Sequence, residues 1–178
     1  MVILAVCGEH PVAMPPAPLA DSVRERSYVE WQRFSDASWA EGFHNYWKAQ
    51  YLDRFDASVL ADFASRISSP LSDIKLWELN HPTANTGAFG HRAARLLLNV
   101  NSRWADGPAE PHVEWTRELW DAMLPYSSGG VYVNFLGAEG DDRVREAYGE
   151  ENWARLVELK RRYDPDNVFR VNQNISLG

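Results

Sequence analysis

Tyr132-Val133-Asn134-Phe135 sets a phenol and a carboxamide two positions apart. In an extended strand over Val131 to Phe135, alternation sends Tyr132 and Asn134 to one face and Val131, Val133 and Phe135 to the other. A carboxamide both donates and accepts hydrogen bonds, and a phenol does the same while offering its ring. One surface could therefore hold a flat heteroaromatic molecule. The same spacing also fits a sheet-edge pair bonded to backbone, the commoner fate of such side chains. His91, after Gly90 and before a strand containing Asn99, could line a pocket, as could Lys48 beside Tyr46 and Trp47. A lone histidine or lysine at such a place is more often a hydrogen-bonded structural group.

Other chemistries lack their residues. The chain has no Gly-x-Gly-x-x-Gly or Gly-x-x-x-x-Gly-Lys-[Ser/Thr] loop to cradle phosphates, and no His-Glu-x-x-His, Cys-x-x-Cys or Gly-x-Ser-x-Gly run. Gly137-Ala138-Glu139-Gly140 opens a helix, but Glu139, Asp141 and Asp142 put negative charge where a phosphate would sit. Those acids suit a helix N-terminus instead. No metal site is expected.

The positioning elements follow from periodicity. Tyr28, Trp31, Gln32 and Phe34 are spaced as a loose helix within Arg24 to Phe34, and Phe43 to Leu52 reads as a strand. Asp56 is a plausible N-cap for a helix with Val59, Leu60, Phe63 and Ile67 on one face. Ile74 to Leu79 and Arg95 to Ser102 read as strands, the second with Leu96, Leu98 and Val100 facing away from Leu97, Asn99 and Asn101. Trp115, Leu119, Ala122 and Met123 mark a helix ending near Pro125 and Gly129-Gly130. Val144, Ala147 and Tyr148 mark another up to Gly149, and Trp153, Leu156 and Val157 a last one before Pro165. On that last helix Glu151 with Arg155, and Glu158 with Arg162, are spaced for i,i+4 pairing. Uneven connections and half-polar strand faces predict an α+β fold: an antiparallel sheet with helices packed mainly on one face, then C-terminal helices and an extended tail.

A length of 178 residues suits a single domain over 1–178 with a sizeable core, and 45% hydrophobic content with eight Trp argues against disorder. The net charge of −7 disfavours nucleic acid and anionic membrane surfaces as partners. Val2 to Cys7 reads as a buried first strand, too short to span a membrane; Leu4-Ala5-Val6-Cys7 is a poor lipobox because Val6 is bulky and no basic residue precedes it. Four prolines between Pro11 and Pro18 make a connector. The lone Cys7 forms no internal disulfide, so a cytoplasmic location is the default expectation.

The run from Tyr132 through Gly140, with Tyr148-Gly149 and Asn152 to Ile175, resembles the terminal signature of berberine-bridge-enzyme-like FAD-linked oxidoreductases. Asn45-Tyr-Trp-Lys48, Ala88-Phe-Gly-His-Arg92, Tyr28-Val-Glu-Trp-Gln32 and the strand from Leu97 to Trp104 resemble the substrate domain of that family. The resemblance implies FAD as cofactor, with the sheet face lying over the flavin ring and a small-molecule substrate between. It gives Tyr132, Asn134, Asn172 and Gln173 as cofactor-side residues and Lys48, His91, Asn99 and Phe135 as pocket residues. It further implies removal of a hydride from an alcohol, amine or C–H centre, with dioxygen as acceptor. The family's flavin domain, with its phosphate-binding segment and covalent attachment residues, has no counterpart here, so a separate flavin-domain protein is the expected partner. Phe135 stands where many relatives carry a catalytic Tyr, and Leu97 or Leu98 where some carry an acid, so the catalytic base is unassigned. The alternative is a truncated, non-catalytic domain that binds a small molecule or pairs with its own copy through the uncovered sheet face.

Overall fold

This computed structural model describes residues 25–33, 36, 41–79, 87, 89–137 and 139–177. The expected strand over Val2 to Cys7 and the proline-rich connector lie outside them. The chain divides into two units, residues 1–41 and 42–178. In the first, α1 (Tyr28–Gln32) starts on a capping box: Ser27 Oγ accepts from the Glu30 amide at 3.2 Å and the Glu30 carboxylate accepts from the Ser27 amide at 2.9 Å. Two otherwise orphaned amide donors are thus satisfied, which suffices to start one helical turn.

The second unit is built on β1 (His44–Leu52), β2 (Asp73–Glu78) and β3 (Leu96–Trp104), an antiparallel sheet in the order β1-β3-β2. The register pairs Ala49 with Asn99 and Lys75 with Asn99, so those three share a row. Leu98 pairs with Gln50 and Leu76, and period-2 alternation turns that row to the opposite face. That second face carries α2 (Ala57–Ser65) and α3 (Glu110–Ala122). Leu52, Leu98, Val100, Phe63, Trp115, Leu119 and Met123 form its core cluster. Asp56 caps α2 by accepting from the Ser58 amide at 2.8 Å, as its position in the sequence predicts. Trp115 donates its indole N–H to the Phe63 carbonyl at 3.2 Å, so burying the ring leaves no orphaned donor and ties α3 to α2.

The apolar cluster on the first face lies at one end of it. Ala49, Tyr51 and Leu97 pack with Val131, Leu136, Val144 and Ala147, which come from the segment after α3 and from α4 (Asp141–Tyr148). Gly149 (φ +77) turns the chain from α4 into α5 (Glu150–Tyr163). The ion pairs of this region differ from the expected Glu151–Arg155 and Glu158–Arg162. Arg145 instead reaches Glu150 across the Gly149 turn, and Lys160 reaches Asp164 beyond the helix end. Backbone ends fix those partners, whereas two long side chains in mid-helix gain little from pairing. No helix among the described residues is long and apolar enough to cross a membrane.

Asp164 ends α5 and orders the tail. Its carboxylate accepts from the amides of Val168 at 2.7 Å and Phe169 at 3.1 Å, while Lys160 Nζ also donates to the Phe169 carbonyl at 2.6 Å. The Lys160 ammonium, burial opposing, and then the two amides hold the Asp164 carboxyl below the usual carboxylate range. A carboxyl depressed in the folded state stabilises above its unfolded value, about pH 4, and loses that contribution as pH falls through the folded one. The protection factors of the Val168 and Phe169 amides, taken against free peptide at the same pH, will therefore fall as pH drops below about 4. Asp164→Asn will lower those protection factors at neutral pH and leave them nearly independent of acid.

Candidate functional site

The turn bearing Tyr132 and Asn134 is placed by two glycines and a tryptophan. After a 3-10 turn at Leu124–Tyr126 the chain runs along the free edge of β1, where Asp53 donates to the Tyr126 carbonyl at 3.1 Å and Ser128 to the Tyr51 carbonyl at 3.0 Å. Gly129 and Gly130 follow with φ +81 and +72, backbone that a side chain adopts only with strain. A Cβ on Gly130 would also lie 2.2 Å from the His91 ring, so this position must be glycine for space as well as for conformation.

Val131 to Phe135 is not the expected strand. Tyr132 is extended, and Val133–Phe135 forms a 3-10 turn closed by Phe135 N–H to the Tyr132 carbonyl at 2.8 Å. The apolar alternation of five residues is misleading here. The positions that enter the core are Val131 and Leu136, five apart, which a two-residue period cannot bury together but a turn can. Trp47 on β1 fixes the turn over the sheet by donating its indole N–H to the Phe135 carbonyl at 3.0 Å.

The phenol and the amide nevertheless meet, because Asn134 Nδ2 donates to the Tyr132 hydroxyl at 2.7 Å. Around them is an aromatic cluster. Phe135 stacks on Trp77 of β2 with centroids 5.7 Å apart, and Tyr132 meets Phe135 and Phe89 edge-on at 5.2 and 6.1 Å. Such offset and edge-on pairs add about 0.5–1.5 kcal/mol each beyond their buried area, so the turn is held rigidly. Asn134 is exposed and Tyr132 half-buried, leaving one amide and one phenol on the outer side of an apolar wall. Tyr51 beneath them is buried, and desolvation first, then the neighbouring Tyr132, pushes its phenol well above the ordinary tyrosine range. It is a proton donor at neutral pH.

Of the tail residues, Gln173 joins this region, donating from Nε2 to the Leu136 carbonyl at 2.8 Å. Asn172 sits beside it, exposed, in a left-handed turn (φ +62). Asn99 lies on the same sheet face, buried, one row from the Leu97–Trp77 pair. His91 packs against the Tyr51 ring with centroids 5.1 Å apart, and its Nε2 lies 2.7 Å from the Glu146 carbonyl. It braces Gly130 rather than reaching the outer side of the turn.

Lys48 is not brought to Asn99. It pairs with Val100, hence projects from the opposite side of β1, where its Nζ lies 2.6 Å from Glu139 and 4.3 Å above the Trp120 ring. Arg143 approaches the same carboxylate at 3.7 Å, and the group lines an open cleft of about 630 Å³ with Arg117 and Tyr46. Sequence reasoning passed over Trp47 and Trp77. Alternation from Ile74 and Leu76 marks Trp77 as a residue of the other face, so a signal was there; the indole bond of Trp47 to a turn 88 residues away left none.

The Lys48 and Glu139 side chains keep 14% and 16% of their exposure, so removing one leaves a largely desolvated charge. Lys48→Met will lower unfolding free energy in urea by about 2 kcal/mol, less than for a fully buried pair because solvent still reaches both groups. Lys48→Met/Glu139→Leu will recover part of that loss, giving a positive coupling in the double-mutant cycle.

Residues 131–176, which hold the turn, α4, α5 and the tail, match the family model described as berberine and berberine like. Over 154 residues the chain is 32% identical to FAD-linked oxidoreductase OXR1 of Pyricularia oryzae, covering 79% of this chain and 27% of that protein. Over 171 residues it is 30% identical to (R)-6-hydroxynicotine oxidase of Paenarthrobacter nicotinovorans, covering 88% of this chain and 37% of that protein. It therefore spans roughly a quarter to three eighths of the length of these two relatives. The crystal structure of 6-hydroxy-D-nicotine oxidase from Arthrobacter nicotinovorans superposes with a TM-score of 0.72 at 28% identity, over 90% of this chain and 38% of that one. Berberine bridge enzyme itself shares the fold, with a TM-score of 0.61 at 20% identity over 75% of this chain and 33% of that one. Sequence and fold comparisons agree, and the chain belongs to the berberine-bridge-enzyme-like family.

Proposed function

We propose that this chain is the substrate-side part of an FAD-dependent oxidoreductase acting on an alcohol, amine or C–H centre, with dioxygen reoxidising the flavin. The observation that carries this reading is the Tyr132–Asn134 turn, fixed over one end of a sheet face by Trp47 and Phe135. The residues fit the ring of the cofactor. Phe135, Trp77 and Tyr132 supply a rigid aromatic wall, and the exposed Asn134 amide can meet a heteroaromatic edge. Bound there, the flavin would supply the redox chemistry. The chain's own residues would shape the substrate space, exclude water and hold the ring edge.

The groups that bind the FAD phosphates are assigned to sequence beyond these 178 residues, on the same polypeptide or another, because no glycine-rich phosphate loop occurs within them. The names of the relatives support the reading, one being an FAD-linked oxidoreductase and another an oxidase of 6-hydroxynicotine. A second reading, a non-catalytic self-associating domain, is favoured by the exposed Val168, Phe169 and Val171, at 70%, 80% and 81%. Apolar side chains held outward by an ordered backbone suit a contact surface. Sedimentation separates the readings, since self-association without flavin supports the second alone.

The chain will be titrated with FAD, alone and with flavin-domain proteins encoded beside its gene. A yellow complex that bleaches with a substrate and recovers in air is the expected result, and Asn134→Ala will weaken flavin association roughly tenfold, the loss of a hydrogen bond made in a desolvated site. Failure of the chain to associate with flavin or with any such protein sinks the proposal.

A further inference from the structure

The central strand carries three inward polar residues in succession on the first sheet face: Asn99, Asn101 and Arg103 are 6%, 1% and 5% exposed. Alternate positions of a strand paired on both edges ordinarily bury apolar groups. Asn101 stands out among them. Among the described residues it is the one side chain with two buried polar atoms and no hydrogen-bond partner for either, Nδ2 or Oδ1. A buried carboxamide with nothing to bond destabilises the fold relative to a leucine of similar size, so its presence on β3 calls for a bonding partner that the described residues do not supply.

Its neighbours define what could fit. Trp47 and Asp73 flank Asn101 in its row, and Ala49 and Lys75 flank Asn99 in the next. The Asp73 and Lys75 side chains are about a third exposed (39% and 35%) and paired with each other, so solvent reaches this edge of the row. The two carboxamides are neutral, the Asp73–Lys75 pair is balanced in charge, and Arg103, next along the face, lies 4.3 Å over the Phe43 ring. A primary amide presents a donor and an acceptor on adjacent atoms, and its complement is a group that does the same in reverse.

We propose that Asn101, with Asn99 beside it, is the polarity-reading floor of a ligand subsite that takes a neutral molecule bearing a hydrogen-bond donor and acceptor on neighbouring atoms, such as a lactam or a vicinal diol. The subsite rests on the reading of this sheet face as the substrate side. It makes Asn101 a positioning residue, since it would orient the ligand without taking part in bond breaking.

The test uses the whole chain without flavin, so that its outcome is independent of the flavin titration. Saturation-transfer NMR will be run with δ-valerolactam and with cis-1,2-cyclohexanediol against the wild type and Asn101→Leu, and the melting temperature of each protein will be measured alone. The expected result is binding of one or both probes by the wild type, at least roughly tenfold weaker binding by the variant, and a variant melting temperature equal to or above that of the wild type. The lactam and diol arms tell which ligand edge the site prefers. Three outcomes overturn the inference: neither probe binds the wild type; the variant binds them equally, as expected if water alone satisfies the amide; or the variant melts well below the wild type, which would reveal an internal partner for Asn101. Probe binding that depends on Asn101, in a chain that never associates with flavin, would keep the subsite and sink the oxidoreductase reading.

Discussion

Burial of β3 on both faces and pairing on both edges is the constraint from which the rest of the second unit follows. Every residue from Leu97 to Trp104 is buried, so each alternate side chain needs cover from a different part of the chain. Leu98 and Val100 obtain it from α2 and α3, and Leu97 from Val131, Leu136 and α4. Fully burying one such aliphatic side chain is worth about 1.5–3 kcal/mol, and only Leu97 draws the Tyr132 turn toward the sheet from the β3 side. The position of the candidate site is thus a consequence of where one leucine faces. The polar remainder of that face, Asn99 onward, has no such apolar pull.

Electrostatics completes what packing begins. The turn is anchored at its end by the Trp47 indole on the Phe135 carbonyl, and the chain just beyond it by Lys48 on Glu139. Trp47 and Lys48 are neighbours in β1, yet alternation sends them to opposite faces, so the segment from Phe135 to Glu139 is clamped around the strand edge from both sides. Arg143, approaching the same carboxylate and donating weakly to the Ala49 carbonyl at 3.4 Å, ties the start of α4 into the clamp. The exposed pairs are of another kind. Arg145 and Glu150 keep 51% and 74% of their exposure, and water screens them until they contribute little more than a preferred rotamer.

Much of this was legible in the sequence, for a physical reason. The helices over 57–65, 110–122 and 141–148 bury one stripe each, and a stripe leaves a period in the residues. Asp56, Gly149 and Pro165 punctuate the helices where capping chemistry says they should. The turn at Val133–Phe135 left no such period. Val131, Val133 and Phe135 imitate a strand, while the actual determinants, the Gly130–His91 contact and the Trp47 bond, lie 39 to 88 residues away in sequence. Asn134 and Tyr132 were rightly paired, but through a direct bond in a turn and not as neighbours on a pleated surface. The family resemblance groups Lys48 and His91 with Asn99; strand register and ring packing separate them.

The chemistry open to this site is narrowed by what surrounds the turn. Trp47, Trp77, Phe89, Tyr132, Asn134, Phe135 and Gln173 include no carboxylate, imidazole or amine, and Phe135 has no proton to exchange. The buried Tyr51 phenol holds its proton more tightly than a free tyrosine, so it cannot serve as a base at neutral pH. These neutral hydrogen-bonding groups and aromatic walls supply no carboxylate, imidazole or amine base of their own. They can exclude water and fix orientation, and in a low-dielectric enclosure both strengthen whatever charge a bound ring or its substrate brings. If these residues promote oxidation, they do so by placing the substrate within reach of the cofactor, and proton removal then falls to the substrate's own basic group, to solvent, or to a residue beyond those at this turn.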